Sequence, residues 1–246
     1  MAATLNVTDL TLRFGGVTAL NGLRLSVSRG GLLGLAGPNG SGKSSLINAL
    51  TGHYETEGAI ALNGQRIEAL PPPERAKLGI ARTFQTPRCY RRMTVLDNLH
   101  AARHVLRPLI LGQSAHRREQ DKARASLAAF GLEHLAHATP QSLTPFELRL
   151  LELARVHASD AQLVLLDEPA AGATEDEANR LARIMSDRLF PGRTVILIEH
   201  RMDFLRALCS EFLVLQAGQA LARGTWKEVF SAPAVRACLM GEPADA

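Results

Sequence analysis

Residues 37–44 read Gly-Pro-Asn-Gly-Ser-Gly-Lys-Ser, which fits the spacing G-x-x-x-x-G-K-[ST]. Glycines at 37, 40 and 42 let backbone N–H groups wrap closely around phosphate oxygens, with Pro38, Asn39 and Ser41 in the variable positions. Lys43 would reach the β- and γ-phosphates, and the hydroxyl of Ser44 would ligate Mg²⁺. An apolar strand precedes this run, and a helix-compatible stretch continues through Ser45, so a helix would point its positive end at the same anion. The alternative is a glycine-rich turn before an ordinary helix. The fixed positions and both flanks favour the phosphate cradle.

A second run has chemistry at its end. Leu163 to Leu166 are four apolar residues that lead into Asp167 and Glu168. A buried parallel strand reads this way, and ligands of open α/β sheets sit beyond the carboxyl ends of such strands. Asp167 would hold Mg²⁺ through water, and Glu168 would polarise an attacking water. Alone the signal is weak, because any strand can end in a carboxylate. Beside the phosphate loop it is strong.

These residues need an α/β frame, and the pattern supplies one. Strands are expected at Leu5–Phe14 and Leu20–Val27, joined at Gly15-Gly16, then at Leu32–Ala36 directly before the glycine loop. A helix follows from Gly42 to about Thr51. Ala59–Leu62 with Asn63-Gly64 reads as a hairpin strand and its turn, and Pro71-Pro72-Pro73 breaks the chain before another short helix. From Thr94 to Ala158 the pattern is helical without a strand, clearest over Ser114–Phe130. Strands return at Leu163–Leu166 and Thr194–Ile198, and Phe212–Leu215 and Gln219–Ala222 form a late hairpin around Ala217-Gly218. A helical segment of about 70 residues is thus inserted in an α/β core.

Composition bounds the partners. The 246 residues carry 28 Lys+Arg against 24 Asp+Glu, a net charge of +4, and 46% are hydrophobic, so the chain is globular. Only 4% are aromatic, which does not favour a base-stacking nucleic-acid platform. No apolar stretch approaches membrane-span length, and Met1–Asp9 lacks the build of a secretory signal, so a cytosolic chain is expected. Cys89, Cys209 and Cys238 are scattered and read as reduced thiols.

Taken together, the motifs resemble the nucleotide-binding subunit of ABC transporters over nearly the whole chain. The resemblance implies a single ATPase domain over residues 1–246. It would have a RecA-like P-loop core, an antiparallel β subdomain, and a helical subdomain at about 87–158. Phe14 sits where that family stacks an aromatic on adenine; a core aromatic is the alternative. Gln85, in ARTFQTP, matches the glutamine that contacts Mg²⁺ and the attacking water, and His200, in VILIEH, matches the switch histidine at the γ-phosphate. Three stretches, GIARTFQTPRCYRRMTVLDNL, LLDEPAAG and VILIEHRMDFL, resemble the ATPases of branched-chain amino-acid importers, which also serve amides and urea; FQTP itself resembles the urea branch. The implied cofactors are ATP and Mg²⁺. The implied partners are a second ATPase subunit, transmembrane permease subunits and, indirectly, a solute-binding protein. The implied place is the cytoplasmic face of the inner membrane.

The sequence also departs from the family. Where the trans-acting signature is typically LSGGQ, this chain has Leu143-Thr144-Pro145-Phe146-Glu147. Thr144 suits an N-cap, Pro145 the first helical position, and Glu147 a capping box. Yet Pro145 has no N–H, Phe146 replaces a glycine, and Glu147 puts a carboxylate where phosphate is expected. Ala173, Thr174 and Arg201 also differ from the family's usual residues. Elements acting on the chain's own nucleotide are intact; the clearest losses act in trans. An asymmetric heterodimer is therefore expected, with a tolerated variant as the alternative. Arg88, Arg91 and Arg92 would touch a permease or form a solvated basic face. Two other classes are a soluble ABC ATPase of DNA repair or translation, and a regulatory nucleotide-binding subunit with little turnover.

Overall fold

A computed structural model of the chain describes residues 3–104 and 113–240. The elements in chain order are β1 (Ala3–Phe14), β2 (Val17–Ser28), β3 (Leu32–Ala36), α1 (Lys43–Leu50), β4 (Glu57–Leu62), β5 (Gln65–Arg66), α2 (Pro72–Lys77) and β6 (Ile80–Arg82). They continue with α3 (Val95–His104), α4 (Gln113–Ala129), α5 (Pro145–Ala158), β7 (Leu163–Asp167), α6 (Glu175–Ile184) and β8 (Thr194–Ile198). The last are α7 (Met202–Leu208), β9 (Glu211–Gln216), β10 (Gln219–Gly224), α8 (Trp226–Phe230) and α9 (Pro233–Met240). The chain divides into two compact units, residues 1–75 with 194–246, and residues 76–193.

In the first unit an antiparallel sheet runs in the order β2-β1-β4-β5. A second set of strands runs β10-β9-β3-β8, with β3 parallel to both neighbours and β10 antiparallel on β9. The apolar runs predict this well: β3 and β8 have the expected ends, and Leu33, Leu35, Val195, Ile196, Leu197 and Ile198 are buried. Both expected hairpin turns have positive φ at their two central residues, Asn63-Gly64 and Ala217-Gly218. The proline run behaves differently from a simple break. Pro72 and Pro73 lie inside the first turn of α2, where a missing N–H removes no helical bond. Arg75, buried in the same stretch, donates to the carbonyls of Ala49 (2.6 Å) and Leu50 (3.0 Å) at the end of α1. A cation there meets carbonyls at the helix end and complements the helix dipole.

In the second unit β6 and β7 pair in parallel, Ile80 opposite Leu163 and Arg82 opposite Leu165. The strand β6 was not expected; three residues are too few to show a period. Between these strands the described residues form helices and no strand, as expected from Thr94 to Ala158, and α4 covers most of the expected Ser114–Phe130. Leu99, Ala123, Leu127, Phe130, Leu150, Leu151 and Leu153 are buried in this unit. The buried amide of Asn98 donates to Thr94 O (2.9 Å) and Tyr90 O (3.1 Å) and accepts from Tyr90 N (2.8 Å), which fixes the segment before α3. No described helix is long and apolar enough to cross a membrane.

Candidate active site

The first unit carries the phosphate loop. Strand β3 delivers the chain into it, and α1 starts at Lys43 behind Gly42. Two glycines are imposed by packing. Gly37 has φ +147° and an added Cβ would lie 2.3 Å from Leu215 O; Gly42 has φ +108° and its Cβ would lie 2.7 Å from Ala19 O. The back of the loop is tied by Ser41 N to Pro38 O (3.2 Å) and by Gly218 N to Ser41 O (3.0 Å). Its crown, Asn39 and Gly40, is exposed, with Ser44 exposed behind it and Pro38 and Ser45 half-buried. The ammonium of Lys43 lies across the loop and donates to Gly37 O (2.7 Å) and Pro38 O (2.9 Å). Helix α1 has no side-chain cap at Gly42 and no acidic residue in its first turn. The buried hydroxyl of Ser41 has no hydrogen-bond partner. A lysine-bearing glycine loop at an uncapped helix start is a ready anion cradle.

Phe14 closes β1. Its ring is 45% exposed and meets Tyr54 edge to face at 4.9 Å between centroids, so it is not a core residue. His200 is exposed just past β8. Its N–H donates to Glu199 Oε2 (3.0 Å), a buried carboxylate that the sequence pattern did not single out.

The second unit carries the acids. All five residues of β7 are buried, Asp167 included, and Asp167 N donates to Thr83 Oγ1 at 3.0 Å. Its carboxylate lies 3.7 Å from the Arg82 guanidinium. Glu168 turns sharply, with φ +48°, a left-handed conformation that costs a side-chain-bearing residue ~1–2 kcal/mol. Its Oε2 accepts from Gln85 Nε2 at 3.0 Å. The structure thus brings Gln85 onto Glu168, next to Asp167 at the end of one strand.

The altered signature starts α5 as the capping pattern predicts. Thr144 N and Oγ1 donate to Glu147 Oε2 (2.8 and 2.9 Å), and Glu147 N donates to Thr144 Oγ1 (3.2 Å). These bonds from Thr144 hold the Glu147 carboxyl below its usual range. Phe146 packs against the Arg180 guanidinium, 5.3 Å from ring centre to carbon. Thr174 is explained locally: it caps α6, with its own capping box to Glu177. Arg88, Arg91 and Arg92 are exposed, and Arg88 covers one ring contact of Phe84 at 4.3 Å.

The family model for ABC transporters matches residues 20–171. The chain belongs to the ABC transporter family. LivG, a high-affinity branched-chain amino acid transport ATP-binding protein of Salmonella typhimurium, is 36% identical over 97% of this chain and 98% of its own. BraF, its counterpart by name in Pseudomonas aeruginosa, is 34% identical over the same shares. Among solved structures, an ATP-binding cassette of an ABC transporter in its ADP conformation matches with a TM-score of 0.84 and 29% identity, covering 98% of this chain and 100% of that one. As a member of the ABC transporter family, this chain is an ATPase cassette, and its α/β fold is that of the family.

Proposed function

We propose that this chain is the ATP-binding and hydrolysing subunit of a transporter that imports branched-chain amino acids, or amides or urea. The observation that carries the reading is the uncapped, lysine-bearing start of α1 behind a loop whose Gly37 and Gly42 are forced by packing. The names of LivG and BraF support the substrate class. The reading includes one ATPase domain over residues 1–246, peripheral to the cytoplasmic face of the inner membrane. Its partners are permease subunits and, through them, a solute-binding protein.

The roles follow from the chemistry of the groups. Residues Gly37 to Ser45 cradle the phosphates, Lys43 neutralises the β- and γ-oxygens, and exposed Phe14 stacks on the adenine. The hydroxyl of Ser44, the carboxylate of Asp167 and the amide oxygen of Gln85 are hard oxygen donors of the kind Mg²⁺ takes. When bound, Mg²⁺ supplies charge neutralisation at the phosphates. Glu168 accepts a proton from the attacking water, Gln85 fixes the Glu168 carboxylate, and His200 orients toward the γ-phosphate. In Glu168→Gln, turnover should fall by about 10²–10³ while ATP affinity stays within a few-fold. ATPase rate and equilibrium nucleotide binding measure the two; unchanged turnover removes Glu168 from the chemistry.

The capped start of α5 supports pairing with a different ATPase subunit. Thr144 and Glu147 satisfy each other there, so the signature has little left to offer a partner's nucleotide. The same observation favours a second reading, a regulatory subunit with little turnover. Mixing the chain with its cognate partner decides: stimulated hydrolysis that depends on Glu168 of this chain rejects the regulatory reading.

A further inference from the structure

The segment that carries Gln85 changes its support within a few residues. Up to Thr83 it belongs to the strands: Thr83 N donates to Leu165 O (2.9 Å), and Thr83 Oγ1 accepts from Asp167 N (3.0 Å). From Phe84 onward it hangs on α5. Arg149 Nη1 donates to Phe84 O (2.9 Å) and Nη2 to Gln85 O (2.7 Å). Glu152 Oε1 accepts from Phe84 N (3.0 Å) and Arg88 N (3.4 Å). The two side chains pair with each other, Arg149 Nη1 to Glu152 Oε2 at 3.0 Å. Arg155, one turn further on, donates to Arg88 O.

Arg149 and Glu152 are 7% and 3% exposed. Burial pushes the Glu152 carboxyl up, against the pull of the N–H groups and of Arg149. A buried ion pair is a poor source of stability by itself, because desolvation offsets the attraction. This pair is distinguished by what else it holds. A guanidinium fork addresses two successive carbonyls at once, which a lysine ammonium on one flexible stem cannot do. One of those carbonyls belongs to Gln85, whose side-chain amide donates to Glu168.

We propose that Arg149 and Glu152 are positioning residues for hydrolysis: they clamp the Gln85 main chain to α5 so that its amide meets Glu168. This rests on the role given to Gln85 above. Arg149 lies one turn past Thr144–Glu147, so the helix that begins with the altered signature is also the mount of the glutamine loop.

The test is a double-mutant cycle in the assembled transporter, with Arg149→Lys and Gln85→Ala alone and together. In Arg149→Lys, kcat should fall about tenfold with KM for ATP within twofold, since a displaced positioning group affects turnover more than phosphate binding. In the Gln85→Ala background the same change should have less than about twofold effect, because both act through one contact. A merely structural role lowers kcat by the same factor in both backgrounds and overturns the clamp while leaving Gln85 in place. If Gln85→Ala alone leaves turnover unchanged, the role of Gln85 fails, and the clamp with it. Glu152→Gln keeps the side chain's volume and one acceptor, and is read in the same cycle should Arg149→Lys not assemble.

Discussion

Two helices of this chain begin at segments proposed to face phosphate, and they begin in opposite ways. Helix α1 opens behind Gly42, with no side-chain cap and no acid in its first turn. Helix α5 opens behind Thr144, with Pro145 lacking an N–H and Glu147 folded back onto Thr144. Every helix start offers unpaired donors and positive potential. The first helix uses no side chain to cap them. The second spends them on its own side chains, and the low-lying Glu147 carboxyl records that. An anion site at a helix start is therefore made by withholding caps, and closed by supplying them. The closed start gains local stability from its capping box.

The comparison breaks first at Lys43. In Lys43→Ala, ATP affinity should drop by about tenfold or more and hydrolysis by about a hundredfold, as a charge-assisted phosphate contact is lost. Filter binding and ATPase assays read this; retained affinity would mean that α1 is not the working anion site. A smaller effect is expected from opening α5. Pro145→Gly, Phe146→Gly and Glu147→Gln together should raise turnover of the assembled transporter about twofold, because a second site gains backbone donors. No gain in single-turnover hydrolysis at the partner's site would detach the capped signature from the asymmetry.

The smallest effect is thermodynamic. Thr144→Ala should destabilise the chain by ~1 kcal/mol in urea unfolding, the usual loss for an N-cap. The cap should also be acid-sensitive. Glu147 is held below its ordinary value in the fold, so its contribution is present above the unfolded value near 4.5 and fades as pH falls through the lower folded value. Removing Thr144 should flatten that acid limb; an unchanged limb would show that other carboxylates produce it.

The two starts were not equally hard to read. The Lys43-Ser44 pair, the strand before it and the Thr144/Glu147 box are all local patterns, and local patterns survive folding. Exposure of Phe14 was open, because an aromatic at a strand end suits a core as well as a surface. Arg149, Glu152 and Arg75 were invisible for a different reason. In sequence each is one more charge on a helix, and only tertiary packing buries it against backbone groups up to 68 positions away, carbonyls for the arginines and N–H groups for Glu152. The strand β6 was missed because three residues pair with a partner more than 80 positions on.

The phosphate loop leans on residues that arrive much later in the chain. Gly37 packs against the Leu215 carbonyl, and Gly218 N donates to Ser41 O. During synthesis, then, the loop leaves the ribosome early but cannot complete its rear wall until the β9–β10 turn has emerged. Nascent chains shorter than that should pass through the cell's ATP without capturing it. Nucleotide binding by the loop is therefore expected to wait on the β9–β10 turn.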